Sequence, residues 1–266
     1  MRQKLEGRKA ETVDRVVELA RERLGDSGKA AEAEAFIRLF YRNVPAEDVQ
    51  AEDPLDLFGA AMALWRFAET RTPGQPKIRA YNPRFEEDGW HSTHTVVEIV
   101  NDDMPFLVDS VTAELNKREL GVHLVIHPVV PVVRDAKGRR TSLAKDPKDG
   151  TPESMMQIRV SARSSAEVLE QIQAGLASVL SDVRHAVTDW RAMRKKLLEV
   201  VAHVEANPPT LPAAEVKESI EFLRWLEADH FTFLGYRDFK YEAKTGRMIV
   251  NDASGLGVVR DPAFHI

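Results

Sequence analysis

The 266-residue chain contains no cysteine, which excludes disulfides and thiolate-bound zinc and fits a reducing compartment. It has no apolar run approaching the ~20 residues of a membrane span. Its first residues, MRQKLEGRKAETVDRV, lack the apolar core of a secretory signal. Cytoplasmic residence with no membrane contact is therefore expected. An excess of positive charge is missing too: 37 lysines and arginines face 42 aspartates and glutamates, for a formal net charge of −5 and a pI near 6.0. No cationic field is present to neutralise phosphates, so nucleic acid is not an expected partner. The sequence also lacks a nucleophile–base pair and a metal-ligand cluster. Its paired glycines, Gly255 and Gly257, have no third glycine and no preceding strand–helix context, and read as a turn. No catalytic residue, cofactor-binding residue or metal ligand is assigned to this chain.

What is present is a soluble, globular composition, 43% hydrophobic and 30% charged, with enough apolar surface for a real core. The first seventy or so residues are helical in period. Val13, Val16, Val17 and Leu24 mark one segment, Phe36, Ile37, Leu39 and Phe40 a second, and Leu55 through Phe67 a third. This region, 1–75, suggests a small helical cap or docking arm. Lys77–Tyr81 is short and strand-like. Thr95, Val97 and Ile99 then alternate with Val96, Glu98 and Val100, as on a strand covered on both faces. Pro105 opens a helix carrying Val108, Val111 and Leu115, and Gly121 is expected to close it. A second strand puts Val122, Leu124 and Ile126 on one face and His123, Val125 and His127 on the other.

Lys137–Glu153 is polar and turn-rich, and is expected as a mobile hairpin connection. Met156, Ile158 and Val160 alternate as a third strand. Apolar residues from Val168 to Val204 then keep helical spacing over about forty residues, or ~60 Å. Such a helix outruns one small sheet, so its far end, with Arg191, Arg194, Lys195 and Lys196, is expected to dock elsewhere. Asn207-Pro208-Pro209 ends it. A further helix and a strand-rich start, turned at Gly246, complete the chain, which reads as a fragment of a longer polypeptide. The expected divisions are 1–75, 76–207 and 208–266.

Asp102 and Asp103 precede a helix, where carboxylates cap exposed N–H groups or hold a ligand amine. Asp109, farther into that helix, would orient the turn or pair with an arginine. His123 and His127 share a face but lie ~13 Å apart on a strand, too far to share a metal ion. Their face, with Val125, is a candidate interface, and His91 and His94 lie upstream.

Asn101–Ser110 (NDDMPFLVDS), Gly121–Arg134 (GVHLVIHPVVPVVR) and Asp229–Asp238 (DHFTFLGYRD), with Arg79–Arg84 (RAYNPR), resemble the N-terminal region of the large NAD-specific glutamate dehydrogenases. The resemblance runs through most of the chain from about Pro45. It implies an α+β fold, a ferredoxin-like or ACT-like αβ sandwich with an N-terminal helical region and a long connecting helix. It implies a parent enzyme that oxidatively deaminates L-glutamate to 2-oxoglutarate and ammonia with NAD, while this segment holds no cofactor and serves regulation or assembly. The expected partners are the downstream domains of the same polypeptide, further copies in a homo-oligomer, and an amino-acid effector. Amino-acid-binding ACT domains have a D-x-P-G-like turn after the first strand. Asp103-Met104-Pro105 matches it, but Phe106 stands in the glycine position. The effector candidates are therefore Asp102, Asp103, Met104, Phe106 and Asp109. The Phe106 ring is expected to fill the effector's space, so that its loss would cost ~2 kcal/mol or more. A docking module without any small-molecule site is the alternative.

Overall fold

Helix α1 (Arg2–Leu24) buries Val13, Val16, Val17 and Ala20 on one stripe. Helix α2 (Gly28–Tyr41) meets it with Ala33, Phe36, Ile37 and Phe40 at the same spacing. After the single-turn α3 (Ala46–Gln50), Asp53 caps α4 (Pro54–Phe67) by accepting from the Leu55 N–H. Pro54 occupies a first-turn position, where a missing N–H costs nothing. Helix α4 is buried round much of its circumference, from Leu57 to Trp65. The reason is that its residues pack both on α1 and α2 and on strand residues Val100, Ile126, Val130, Val132 and Met155. The helices and the sheet thus share one core. The computed structural model describes residues 2–25, 28–144 and 146–261.

The sheet is antiparallel throughout, in the order β1 (Lys77–Tyr81), β2 (Thr95–Asp102), β6 (Thr151–Val160), β4 (Val129–Arg134), β5 (Arg140–Leu143). The single turn α5 (Phe85–Asp88) lies between β1 and β2. Helix α6 (Leu107–Lys117) links β2 to β3 (Val122–Ile126), which pairs with the C-terminal half of β6 while β4 takes the N-terminal half. Strand β1, from the N-terminal side, completes the sheet beside β2, with Lys77 opposite Val100 and Tyr81 opposite Val96. Thr95 to Asn101 are all buried, so both faces of β2 are covered. Its even-numbered residues face the helices: Val96 packs with Ala60, Ala63 and Trp90.

Two expectations about this region are corrected. Lys137–Glu153 is not wholly a connection, because it contains β5, whose Arg140 N–H donates to the Glu69 carbonyl. A charged run can pair here because the long Arg140 side chain lies over the Trp65 ring, 3.2 Å from its centroid. Burial there lowers the Arg140 pKa to about 10. Helix α6 is closed by Glu119 rather than Gly121. Glu119 takes the left-handed conformation, φ 55°, and the Leu120 N–H returns to the Leu115 carbonyl.

Helix α7 (Ala166–Ala206) runs 41 residues. Its residues through Ala177 belong to a first compact unit, made of residues 1–104 and 108–177. Those from Ser178 belong to a second unit, which also takes in Pro105–Leu107. In the first unit, Gly175 lets α7 pass against Glu114 and Arg118 of α6, where a Cβ would overlap both side chains. The second unit adds α8 (Ala213–Trp225), which leaves through a π turn at Leu226–His230, and the short strands β7 (Gly235–Tyr236), β8 (Phe239–Glu242), β9 (Arg247–Val250) and β10 (Leu256–Gly257). Gly246, φ 67°, turns β8 into β9 as the sequence predicts. Of the basic cluster, Arg194 reaches outside the helix, to Glu227 and Asp229, whereas Lys195 and Lys196 pair with Glu199 one turn on.

Candidate functional site

Strand β2 ends at Asp102, and the chain turns there into α6. Asp102 accepts from Arg71 Nη2 at 2.6 Å, so its carboxylate already has a cation. Arg71 also donates to Glu153, as does Arg134 from the other side. Asp103 is exposed, and its N–H donates to the Pro152 carbonyl at 3.1 Å. Met104 is half-buried, while Asp109 lies exposed in the first turn of α6, where a carboxylate complements the helix dipole.

Phe106 corrects the packing expectation. Its side chain is 48% exposed and its φ is 70°. The backbone there holds a left-handed conformation that favours glycine, although the residue is phenylalanine. A left-handed non-glycine residue carries strain of about 1–3 kcal/mol. Replacement by glycine releases that strain, loses a ring that is only half covered and adds chain entropy of roughly 0.5–1 kcal/mol. Phe106→Gly is thus expected to change unfolding free energy by less than about 1 kcal/mol. Phe106→Ala keeps the strain and loses the ring, so it should be the less stable of the two. Urea titration of both variants decides it. A loss above ~2 kcal/mol for glycine would mean a packed ring.

The histidines of the first unit take separate partners. His123 Nε2 lies 3.2 Å from Ser161 Oγ and its ring stands 4.5 Å from that of His94. His127 Nε2 lies 2.7 Å from Ser154 Oγ. Burial lowers the His127 pKa, against the pull of the Asp103 carboxylate. Val125 between them is half-buried, and His91 binds Asp56.

A third arrangement, within the second unit, is one that sequence reasoning missed. A cavity of about 260 Å³ is bounded by Phe106, Trp190, Arg194, Glu227, Asp229 and Phe231. Helix α7 supplies Trp190 and Arg194 one turn apart, and the guanidinium lies 5.1 Å from the Trp190 ring centroid. The π turn supplies Glu227 and Asp229. Arg194 donates from Nε and Nη2 to Glu227 Oε1, at 3.1 and 2.6 Å, and stands 3.3 Å from Asp229. Among the described residues, three non-glycine residues have positive φ: Phe106, Glu119 and Asp229. Two of them line this cavity. Strain of that kind concentrates where a site demands it. A sequence signal did exist, since Phe106 and Asp229 each fall in one of the phrases that carry the family resemblance. Nothing in either phrase says that they meet.

The glycine pair does not fit a dinucleotide. The Gly257 N–H donates to Asp189, a carboxylate that would repel a phosphate, and a Cβ on Gly257 would strike the Leu234 carbonyl. Close backbone approach explains this glycine.

A family model described as the ACT1 domain of glutamate dehydrogenase matches residues 36–176. The chain is 42% identical over 241 residues to a protein of Halomonas elongata named NAD-specific glutamate dehydrogenase, an alignment covering 88% of this chain and 15% of that protein. A protein of the same name from Pseudomonas aeruginosa is 36% identical over 230 residues, covering 85% of this chain and 14% of that protein. The chain therefore corresponds to about one-seventh of the length of these relatives.

Proposed function

The chain belongs to the glutamate dehydrogenase ACT1-domain family, and from that premise we propose that it forms the N-terminal regulatory and assembly segment of a large, cytoplasmic NAD-dependent glutamate dehydrogenase. The parent reaction is the oxidative deamination of L-glutamate to 2-oxoglutarate and ammonia, with NAD taking the hydride. One observation carries the reading: 88% of this chain aligns with a relative of that name, yet the alignment takes in only 15% of the relative. Hydride transfer then belongs to other parts of the polypeptide, and this segment acts on it by responding to a ligand or by holding subunits together. The antiparallel sheet with β1 added beside β2 supports an ACT-like domain. An amino-acid effector would meet Asp103 and Met104 at the end of β2, because Asp102 already holds Arg71.

The test uses the full-length enzyme. Glutamate-dependent NAD reduction is measured with and without a panel of amino acids, in the wild type and in Asp103→Asn. The expected result is an amino-acid response that the variant loses or weakens while its melting temperature without effector is unshifted. An unaltered response in the variant, or no response in either protein, would sink the effector reading.

A purely structural docking module is favoured by a different observation. The β8–β9 hairpin exposes Phe239, Tyr241, Met248 and Ile249, each at 48% or more, which is more apolar surface than a lone two-stranded hairpin keeps without a covering element. If charged substitutions at Tyr241 and Met248 change the enzyme's oligomeric mass by light scattering and no amino acid alters its rate, that reading replaces the first.

A further inference from the structure

We propose that the cavity between α7 and the π turn binds a small organic monocation with an aromatic or alkyl body. Three properties of its lining converge on that class. The first is charge. The lining holds one guanidinium, Arg194, against two carboxylates, Glu227 and Asp229, for a net of −1. A bare carboxylate ligand meets two like charges, whereas a monocation brings the lining to neutrality.

The second is the carboxylates' remaining capacity to accept. Each ionised carboxylate has about four lone-pair positions. Both bonds from Arg194 to Glu227 end on Oε1, and among the described residues Oε2 accepts none. The Asp229 side chain is 80% exposed and stands 3.3 Å from Arg194. Its exposed carboxylate can accept from a second cation without breaking a buried pair.

The third is the apolar surface. Phe106 is 48% exposed, Trp190 39% and Phe231 57%, so three large rings are only partly covered on the walls of one small cavity. Aromatic faces attract cations electrostatically, the more so when the cation is desolvated. Trp190 already receives Arg194 in this way. The rings would cover the ligand's body while Asp229 and Glu227 Oε2 accept its N–H groups. Phe106 and Asp229, both with left-handed φ, are among the residues that line the cavity. The residues have no nucleophile–base pair among them, so the site binds rather than transforms.

Calorimetric titration of the 266-residue chain with 2-phenylethylammonium tests this directly. Two probes of the same body accompany it: 3-phenylpropionate, which is anionic, and phenylalanine, which is zwitterionic. The expected result is saturable one-site binding of the cation, weaker binding of the zwitterion and none of the anion. Asp229→Asn should raise the Kd of the cation about tenfold, equivalent to ~1.4 kcal/mol. Asparagine tolerates the left-handed conformation, so this variant keeps the turn. Glu227→Gln should act in the same direction, and an unshifted melting temperature without ligand confirms that each variant is folded. The proposal is overturned if the cation gives no saturable heat, if phenylalanine or 3-phenylpropionate binds as tightly, or if the Kd is the same in both folded variants. Because these titrations read binding and not turnover, a failure here leaves the dehydrogenase assignment untouched, and the reverse also holds.

Discussion

Glu153→Gln is expected to destabilise the first unit by about 3–5 kcal/mol, the range for removing one partner of a buried ion pair. The Glu153 side chain is 1% exposed and accepts four hydrogen bonds: two from Arg71, at 3.1 and 2.7 Å, and two from Arg134, both at 2.7 Å. The two arginine side chains are themselves only 2% and 8% exposed. With glutamine in place, Arg71 keeps its pair with Asp102 while Arg134 loses its ion pair with Glu153, and one amide N–H₂ must face a donor. The network also has a mechanical role. Arg134 donates to the carbonyls of Ala68, Glu69 and Gly138, and Arg71 to that of Gln75, so this carboxylate helps to fasten the segment from α4 to β1, alongside the backbone bonds from Arg140 to Glu69 and from Arg71 to Gly138. Urea titration should show a lower midpoint with an unchanged m-value. A loss below about 1 kcal/mol would mean that water reaches the pair and that the charges are screened as on a surface.

Trp90→Ala is the second large effect, expected to cost about 3–5 kcal/mol. Trp90 is fully buried and lies against Gly59 of α4, where any Cβ would overlap the Trp90 side chain. Glycine in a helix interior is roughly 1 kcal/mol worse than alanine, and the fit of the indole on the bare backbone outweighs that. The pair should therefore be non-additive. Gly59→Ala alone is expected to destabilise by about 1–3 kcal/mol through overpacking. In the Trp90→Ala background the clash is gone, and the same change should be neutral or stabilising by up to ~1 kcal/mol. Equal effects of Gly59→Ala in both backgrounds would show that the two residues do not touch.

Periodicity carried much of the fold. Val13, Val16 and Val17, then Phe36, Ile37 and Phe40, announced α1 and α2, and the alternation from Thr95 to Val100 announced a strand covered on both faces. Lys77–Tyr81 read as a short strand, and it pairs with β2. Strand β5 was not legible, because Arg140 looks solvated until the Trp65 ring is placed beneath it. The end of α6 was misjudged for a similar reason. A glycine at position 121 is the obvious breaker, yet Glu119 takes the left-handed turn, and no sequence signal marks a glutamate for that conformation.

The candidate site was less legible still. Phe106 stands out in the sequence as a departure from a glycine position, and burial was the natural inference. Its exposure and positive φ emerge only in the folded chain. Trp190 read as one of the apolar positions of the long helix and Arg194 as part of a basic cluster expected to dock elsewhere, while Glu227 ended another helix and Asp229 opened a phrase of the family resemblance.

The sequence by itself determined the helices and most strands, the hairpin at Gly246 and the family, because each rests on local spacing or on contiguous phrases of residues. Only the tertiary structure decided that Asp102 would be held by Arg71, that Glu153 would join two arginines, and that Phe106, Trp190, Arg194 and Asp229 would bound one cavity. The physical reason is range. Backbone periods of 3.6 and 2 residues act over a few positions of the chain. Charge pairing and desolvation depend on distances of a few ångströms between residues as far apart in sequence as Arg71 and Glu153, and those distances exist only once the core has formed.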